Sequence, residues 1–236
     1  MSPPSPERSV RRSSARTGGE RKNNRGEATR QAILLAAERL FAERGISAVP
    51  LRDIGLAAGQ RNHAAVQYHF GEREEIVKAI MEFRGAQSED HRTETVTDLL
   101  LGGTVPTLQD VVSAFVRPLA IHIQPDNNYL SFLSLYITEE GGYESLGDVH
   151  TGGSVITLRS LLGRLAPQVP EAVLEERWWV TLTSAVHALA RYQTSQRKRA
   201  HLPADIDVLI EDLVMYLSAG LAAPVAERDP RAGKPD

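Results

Sequence analysis

Cysteine is absent from the 236 residues, which removes disulfides, thiolate nucleophiles, zinc ribbons and iron–sulfur ligation together. No run approaches the roughly eighteen uninterrupted apolar residues of a membrane span, and the N-terminus has no apolar signal core, so a cytoplasmic protein with no membrane partner is expected. Neither a Gly-rich phosphate loop nor a G-x-S-x-G elbow occurs. The seven histidines are scattered without H-x-x-x-H or H-E-x-x-H spacing. The expectation is therefore no catalytic residues, no metal and no cofactor. An enzyme would have to assemble its chemistry from groups that only folding brings together.

What is present is unevenly charged. The net charge of -3 conceals 15 Lys and Arg against 10 Asp and Glu over residues 1–84, which leaves 12 against 20 in the remainder. A basic N-terminal part joined to an acidic remainder suggests that only the first meets a polyanion. Most of the basic surplus lies in residues 1–28. Pro, Ser and Gly fill much of that segment, and its apolar content is too low to order it, so a disordered basic arm is expected there.

Helical periodicity begins at Thr29, where Ile33, Leu34, Ala37, Leu40 and Phe41 recur at three- and four-residue spacings, and Gly45 supplies a stop. A short second helix is predicted from Pro50, with Asp53 favouring its N-terminus and Leu51, Ile54 and Ala58 inward. After Gly59, residues Asn62 to Phe70 read as a third helix. A fourth begins near Glu72, with Ile76, Val77, Ile80 and Met81 on its apolar face.

Residues 101–107 form a predicted loop. Beyond it, helices are expected over Leu108 to Ile123 with a distortion at Pro118, Asn128 to Thr138, Ser154 to Leu165, and Glu171 to about Arg197. A last helix is capped by Asp205 and carries a stripe of Ile206, Leu209, Ile210, Leu213, Val214 and Leu217. Glu139 and Glu140 read as a solvated helix end. No strand pattern competes, so the fold class is all-α.

The informative passage is Leu51-Arg52-Asp53-Ile54-Gly55-Leu56-Ala57-Ala58-Gly59, a short turn, then Val66-Gln67-Tyr68-His69-Phe70 and Arg73-Glu74-Glu75-Ile76. Two short helices about a Gly-containing turn satisfy the geometry of a helix-turn-helix, in which one helix braces on the phosphates while the next presents side chains to the major groove. Small Ala57 and Ala58 allow close helix approach, and Gly59 relieves the turn.

With the Phe41-Ala-Glu-Arg-Gly45 helix end and the Tyr68-His69-Phe70 signature, residues 29–84 resemble the DNA-binding domain of TetR-family regulators. The resemblance implies a three-helix helix-turn-helix domain at 29–84, a helical ligand-binding and dimerisation domain at 85–222 and a disordered tail at 223–236. It also implies a homodimer through the last two long helices, a double-stranded DNA operator and repression relieved by a small apolar or amphipathic effector.

Carried onto these positions, Arg52 would contact base or phosphate and Gln67 could bond adenine at two points, with Tyr68 and His69 suited to phosphate or core roles. Arg73 stands where a Lys commonly grips phosphate, at a helix N-terminus that itself favours an anion. Ten residues, Gln60 to His69, separate Gly59 from Phe70, one more than the commonest family spacing. Arg61, Asn62 and His63 in that turn are therefore all candidates for base contact. In the acidic part, Phe115, His122, Phe132, Tyr136, Trp178 and His187 are candidate effector contacts, against the alternative that they are core and interface residues. A sequence-independent architectural DNA-binding protein is the alternative at the level of function.

Overall fold

The computed structural model describes residues 14–60, 64–139, 153–198 and 201–226, with only the backbone described over 14–25. Among the described residues the elements are all helices: α1 Ser14–Arg44, α2 Leu51–Ala57, α3 Ala64–Phe70, α4 Arg73–Leu101, α5 Leu108–Ala120, α6 Tyr129–Glu139, α7 Gly153–Leu165, α8 Glu171–Arg197 and α9 Ile206–Ala222.

The first helix starts at Ser14, well before the expected Thr29. Residues 14–28 have no apolar face, so periodicity could not reveal a backbone that merely continues a helix nucleated by the buried stretch from Ile33 to Phe41. At the other end, Gly45 takes φ +91°, and its N–H closes the last turn on the Phe41 carbonyl at 2.9 Å. Only glycine adopts that left-handed conformation without steric cost.

The fourth helix is longer than its apolar start suggests. It runs through the expected boundary at residues 84 and 85 without a break to Leu101. It packs on α1 and α3 as well as on α5 and α7, with Arg84 bonded to Glu38 of α1, Glu89 to Ser154 of α7 and Arg92 over Phe115 of α5. One rigid rod thus belongs to both parts of the molecule. Beyond it, Thr107 and Asp110 form a reciprocal capping box: Asp110 N–H donates to the Thr107 hydroxyl at 3.2 Å and Thr107 N–H donates to the Asp110 carboxylate at 2.8 Å. Pro118 is accommodated near the C-terminal end of α5, and the helix ends two residues later.

α6 lies along α1 in the same direction. Buried Glu38 of α1 accepts from Asn128 N–H at 3.0 Å at the start of α6, and Phe41 stacks on Phe132 at 6.2 Å. On its other side α6 runs antiparallel to α8, with the Ser131 amide donating to Gln193 and the Ser134 hydroxyl bonded to His187. α9 turns back along α8. The Arg177 guanidinium donates to the Leu221, Ala223 and Pro224 carbonyls, satisfying acceptors that a helix end leaves unpaired. One continuous apolar core, from Ile33 to Leu221, joins all these helices.

Candidate nucleic-acid interface and the core behind it

α2 and α3 can touch because Gly55 carries no side chain. A Cβ there would lie 3.3 Å from Val66 Cγ2. Ile54, Val66 and Phe70 are buried beneath the pair, and the Arg30 guanidinium covers the Phe70 ring at 4.9 Å. With those residues turned inward, the opposite face of α3 presents Gln67 and Tyr68 to solvent, Tyr68 being 85% exposed. An exposed ring this large on a short helix has no folding role to account for it. His69 is half-buried and meets the Tyr68 ring edge-on at 5.1 Å. On α2, the Arg52 side chain is 73% exposed and lies 3.4 Å from Asp53, which also faces Arg44 at 3.5 Å. Arg61, Asn62 and His63 lie outside the described residues.

Residues 33–80 match the family described as bacterial regulatory proteins, tetR family. They form a TetR-family helix-turn-helix domain. Over 56 residues the chain is 45% identical to an HTH-type transcriptional repressor of Mycobacterium tuberculosis and to an HTH-type transcriptional regulator of Mycobacterium bovis. Those matches cover 24% of this chain and 29% of each relative, so the chain spans under a third of the relatives it matches. The solved structure of a gamma-butyrolactone receptor (ArpA like protein) aligns with 82% of this chain and 98% of its own, with a TM-score of 0.51 at 20% identity. The two chains share the fold beyond the TetR domain.

Arg73, expected to grip a phosphate, is turned into the TetR domain instead. Its guanidinium donates to the Ile46 carbonyl at 2.9 Å, Ser47 at 2.6 Å and Val49 at 3.0 Å, so α4 holds the loop between α1 and α2 by its carbonyls. The amides of the same loop are held from the other part of the molecule. Glu139, at the end of α6, accepts from Ile46 N–H at 3.0 Å and Ser47 N–H at 3.3 Å. This residue is therefore no mere solvated helix end, and Glu140 lies outside the described residues. Beside this clasp is a cavity of about 260 Å³ lined by Ile46, Arg73, Glu74, Glu75, Val77, Lys78 and Tyr136.

Behind the TetR domain the expected effector residues divide into groups. Phe115 and Trp178 are buried edge-to-face at 6.1 Å. Phe132 stacks on both Tyr136 and Tyr129 at 6.3 Å, and Tyr129 meets His122 edge-on at 4.8 Å. His187 stands apart, exposed and bonded to Ser134.

The bonds around His122 assign its tautomer. Asn127 Oδ1 accepts from Tyr129 N–H at 2.9 Å, which turns the Asn127 amide N–H₂ towards His122 Nδ1 at 3.2 Å. Nδ1 is then an acceptor, and the proton on Nε2 donates to Ser88 Oγ at 2.9 Å. Burial first, and then the Arg84 and Arg92 charges, lower the His122 pKa to about 4. Both ring nitrogens are engaged by the protein.

Residues that periodicity could not single out complete this core. Glu38 accepts twice from the Arg84 guanidinium, at 2.7 and 3.1 Å, although it is only 2% exposed. Gln193 donates to the His122 carbonyl at 2.6 Å. Arg92, 5% exposed, lies over the Phe115 ring at 5.3 Å and donates from Nη1 to Glu89 at 2.8 Å. A charged residue on an apolar face was the available signal, and for Arg92 it sits three residues after Glu89.

Proposed function

We infer that this protein is a sequence-specific DNA-binding transcriptional regulator that acts as a homodimer in the cytoplasm and represses until a small apolar or amphipathic effector binds. The observation that carries the reading is the exposed Gln67–Tyr68 face of α3, set on a TetR-family domain whose remaining α3 anchors, Val66 and Phe70, are buried. Gln67 can bond adenine at two points in the major groove, while Arg52 and Tyr68 suit phosphate oxygens. Arg61, Asn62 and His63 are further candidates for base contact. Arg73 acts indirectly, by fixing the loop that carries α2.

The dimer reading is supported by the outer face of α9. There Val208, Asp212, Met215, Ala219 and Ala222 recur at four- and three-residue spacing and are exposed in the single chain, Val208 by 59% and Met215 by 56%. Burying that stripe against a second copy, with Val180 of α8, removes apolar surface from water. Two recognition helices about 34–36 Å apart would then meet successive major grooves over a palindromic operator. Phe115, Phe132, Tyr136 and Trp178 supply apolar surface for an effector, which shifts the dimer only through its different affinity for the two states. The gamma-butyrolactone receptor, by its name, binds a small ligand with the same fold.

Selection of genomic fragments by the purified protein, followed by titration of the best fragment and a scrambled control at several salt concentrations, tests the reading. A palindromic site bound ~10³-fold or more tightly than the control is expected. Equal binding of both would leave an architectural protein in its place.

A further inference from the structure

Arg92 is the residue of the bundle core that bears on the effector, given the effector reading above. Arg92 is buried at 5% exposure on α4, and its Nε–H has no acceptor among the described residues. It is the one such buried side-chain atom found among them. A buried donor of this kind costs free energy unless something accepts from it. Its counter-ion Glu89 is also shared: the two Glu89 oxygens accept from Ser154 N–H at 3.1 Å and Ser154 Oγ at 2.7 Å, which ties down the first turn of α7. The Phe115 ring lies beneath the guanidinium at 5.3 Å, and Trp178 meets Phe115 edge-on at 6.1 Å. The Tyr129 phenol, buried and with its pKa raised by that burial, lies within electrostatic reach of Arg92.

We propose that Arg92 anchors the effector: its Nε–H donates to the carbonyl oxygen of a small uncharged molecule whose apolar body lies against Phe115 and Trp178. An uncharged acceptor is required by the charge balance. Arg92 is paired with Glu89 and Arg84 with Glu38, so an anion would arrive in this core without a partner for its charge. A neutral carbonyl gains a charge-assisted bond and brings no charge with it. The signal has a direct route, because Arg92 and Arg73 stand on the same helix, about 28 Å apart at 1.5 Å rise per residue. A shift of α4 at Arg92 therefore reaches the loop that Arg73 holds.

The test is ligand-observed NMR titration of the full chain, without DNA, using three compounds of similar shape: acetophenone, ethylbenzene and benzoate. Acetophenone is expected to bind about tenfold or more tightly than either of the others, the ratio that a hydrogen bond to a charged donor supplies. Arg92→Lys keeps a cation opposite Glu89 but removes the Nε–H, and should abolish the preference for the ketone while leaving ethylbenzene binding unchanged. The double variant Arg92→Met with Glu89→Gln leaves no charge unpaired and should behave alike, so a folding defect in one variant does not decide the matter. Equal binding of acetophenone and ethylbenzene, a preference for benzoate, or a ketone preference that survives in both variants overturns the proposal. With DNA absent, any of these results leaves the operator-binding reading standing. A ketone preference in a protein that selects no operator would overturn that reading and not this one.

Discussion

Gln67 and Tyr68 project from α3 into solvent while Val66 and Phe70 are buried, so truncating the exposed pair changes recognition without touching the core. Gln67→Ala should cost about 1–3 kcal/mol of discrimination at one base pair, read by titrating operator variants, with an unchanged melting temperature. A uniform loss across all base substitutions would make Gln67 a backbone contact. For Arg52→Ala, the slope of log affinity against log salt should flatten by roughly 0.9, the share of one phosphate.

His122 yields a prediction about pH at the same scale. Its pKa falls from 6.5 to about 4 in the fold, so between those values the unfolded chain binds a proton that the native chain excludes. Stability is therefore full above pH 6.5 and is lost progressively as pH falls towards 4. Urea unfolding at pH 7 and pH 4.5 should differ by about 2 kcal/mol on this account, and His122→Gln should remove that difference. An unaltered pH dependence in the variant would assign the acid sensitivity to other groups.

At the scale of elements, the loop between α1 and α2 is held from two sides, by Arg73 of α4 through its carbonyls and by Glu139 of α6 through its amides. Glu139→Ala should accelerate hydrogen exchange at the Ile46 and Ser47 amides and leave Leu189, deep in α8, protected. Equal protection in both proteins would mean the carboxylate contributes nothing in solution. Gly45 sits under the same clasp at φ +91°, where a Cβ would approach Glu139 Oε1 to 2.6 Å. The carboxylate end can move aside, whereas the backbone conformation cannot relax as cheaply. Gly45→Ala should thus cost about 1–2 kcal/mol in chemical unfolding, and most of that cost should persist when Glu139 is also Ala.

Periodicity located α2, α3, α5, α6, α7, α8 and α9 because each carries an apolar face that must be buried. It mislocated the start of α1 and hid the full length of α4, because solvated turns carry no such mark. Gln67 was likewise readable from its place after the apolar anchor Val66, whereas spacing left Tyr68 and His69 between phosphate and core roles. The inward turn of Arg73 was not readable, since it depends on carbonyls 24 to 27 residues earlier in the chain.

At the scale of the molecule, α4 spans both parts, and α6 is tied to α1 at its start through Glu38 and to the loop after α1 at its end through Glu139, so the C-terminal bundle and the TetR domain are packed as one unit. Reading two half-sites, as proposed, further requires a second copy. Met215 is 56% exposed on the α9 stripe, so Met215→Glu places a charge in the proposed interface while leaving each fold intact. Sedimentation should report monomer at concentrations where the parent chain is dimeric, with unchanged circular dichroism. A dimer that survives the substitution would place the interface elsewhere.

The sequence by itself determined the helical class, the TetR-like helix-turn-helix with Gln67 offered to a base edge, and the division into a basic N-terminal part and an acidic remainder. These follow from spacing and charge, which are local properties of the chain. Only the tertiary structure decided that Arg73 braces a loop, that Glu139 holds the same loop from the opposite side, that His122 is already satisfied, and that Arg92 has a donor to spare. Each depends on partners distant in sequence or on the burial that packing imposes, and neither is encoded in the spacing of residues along a helix.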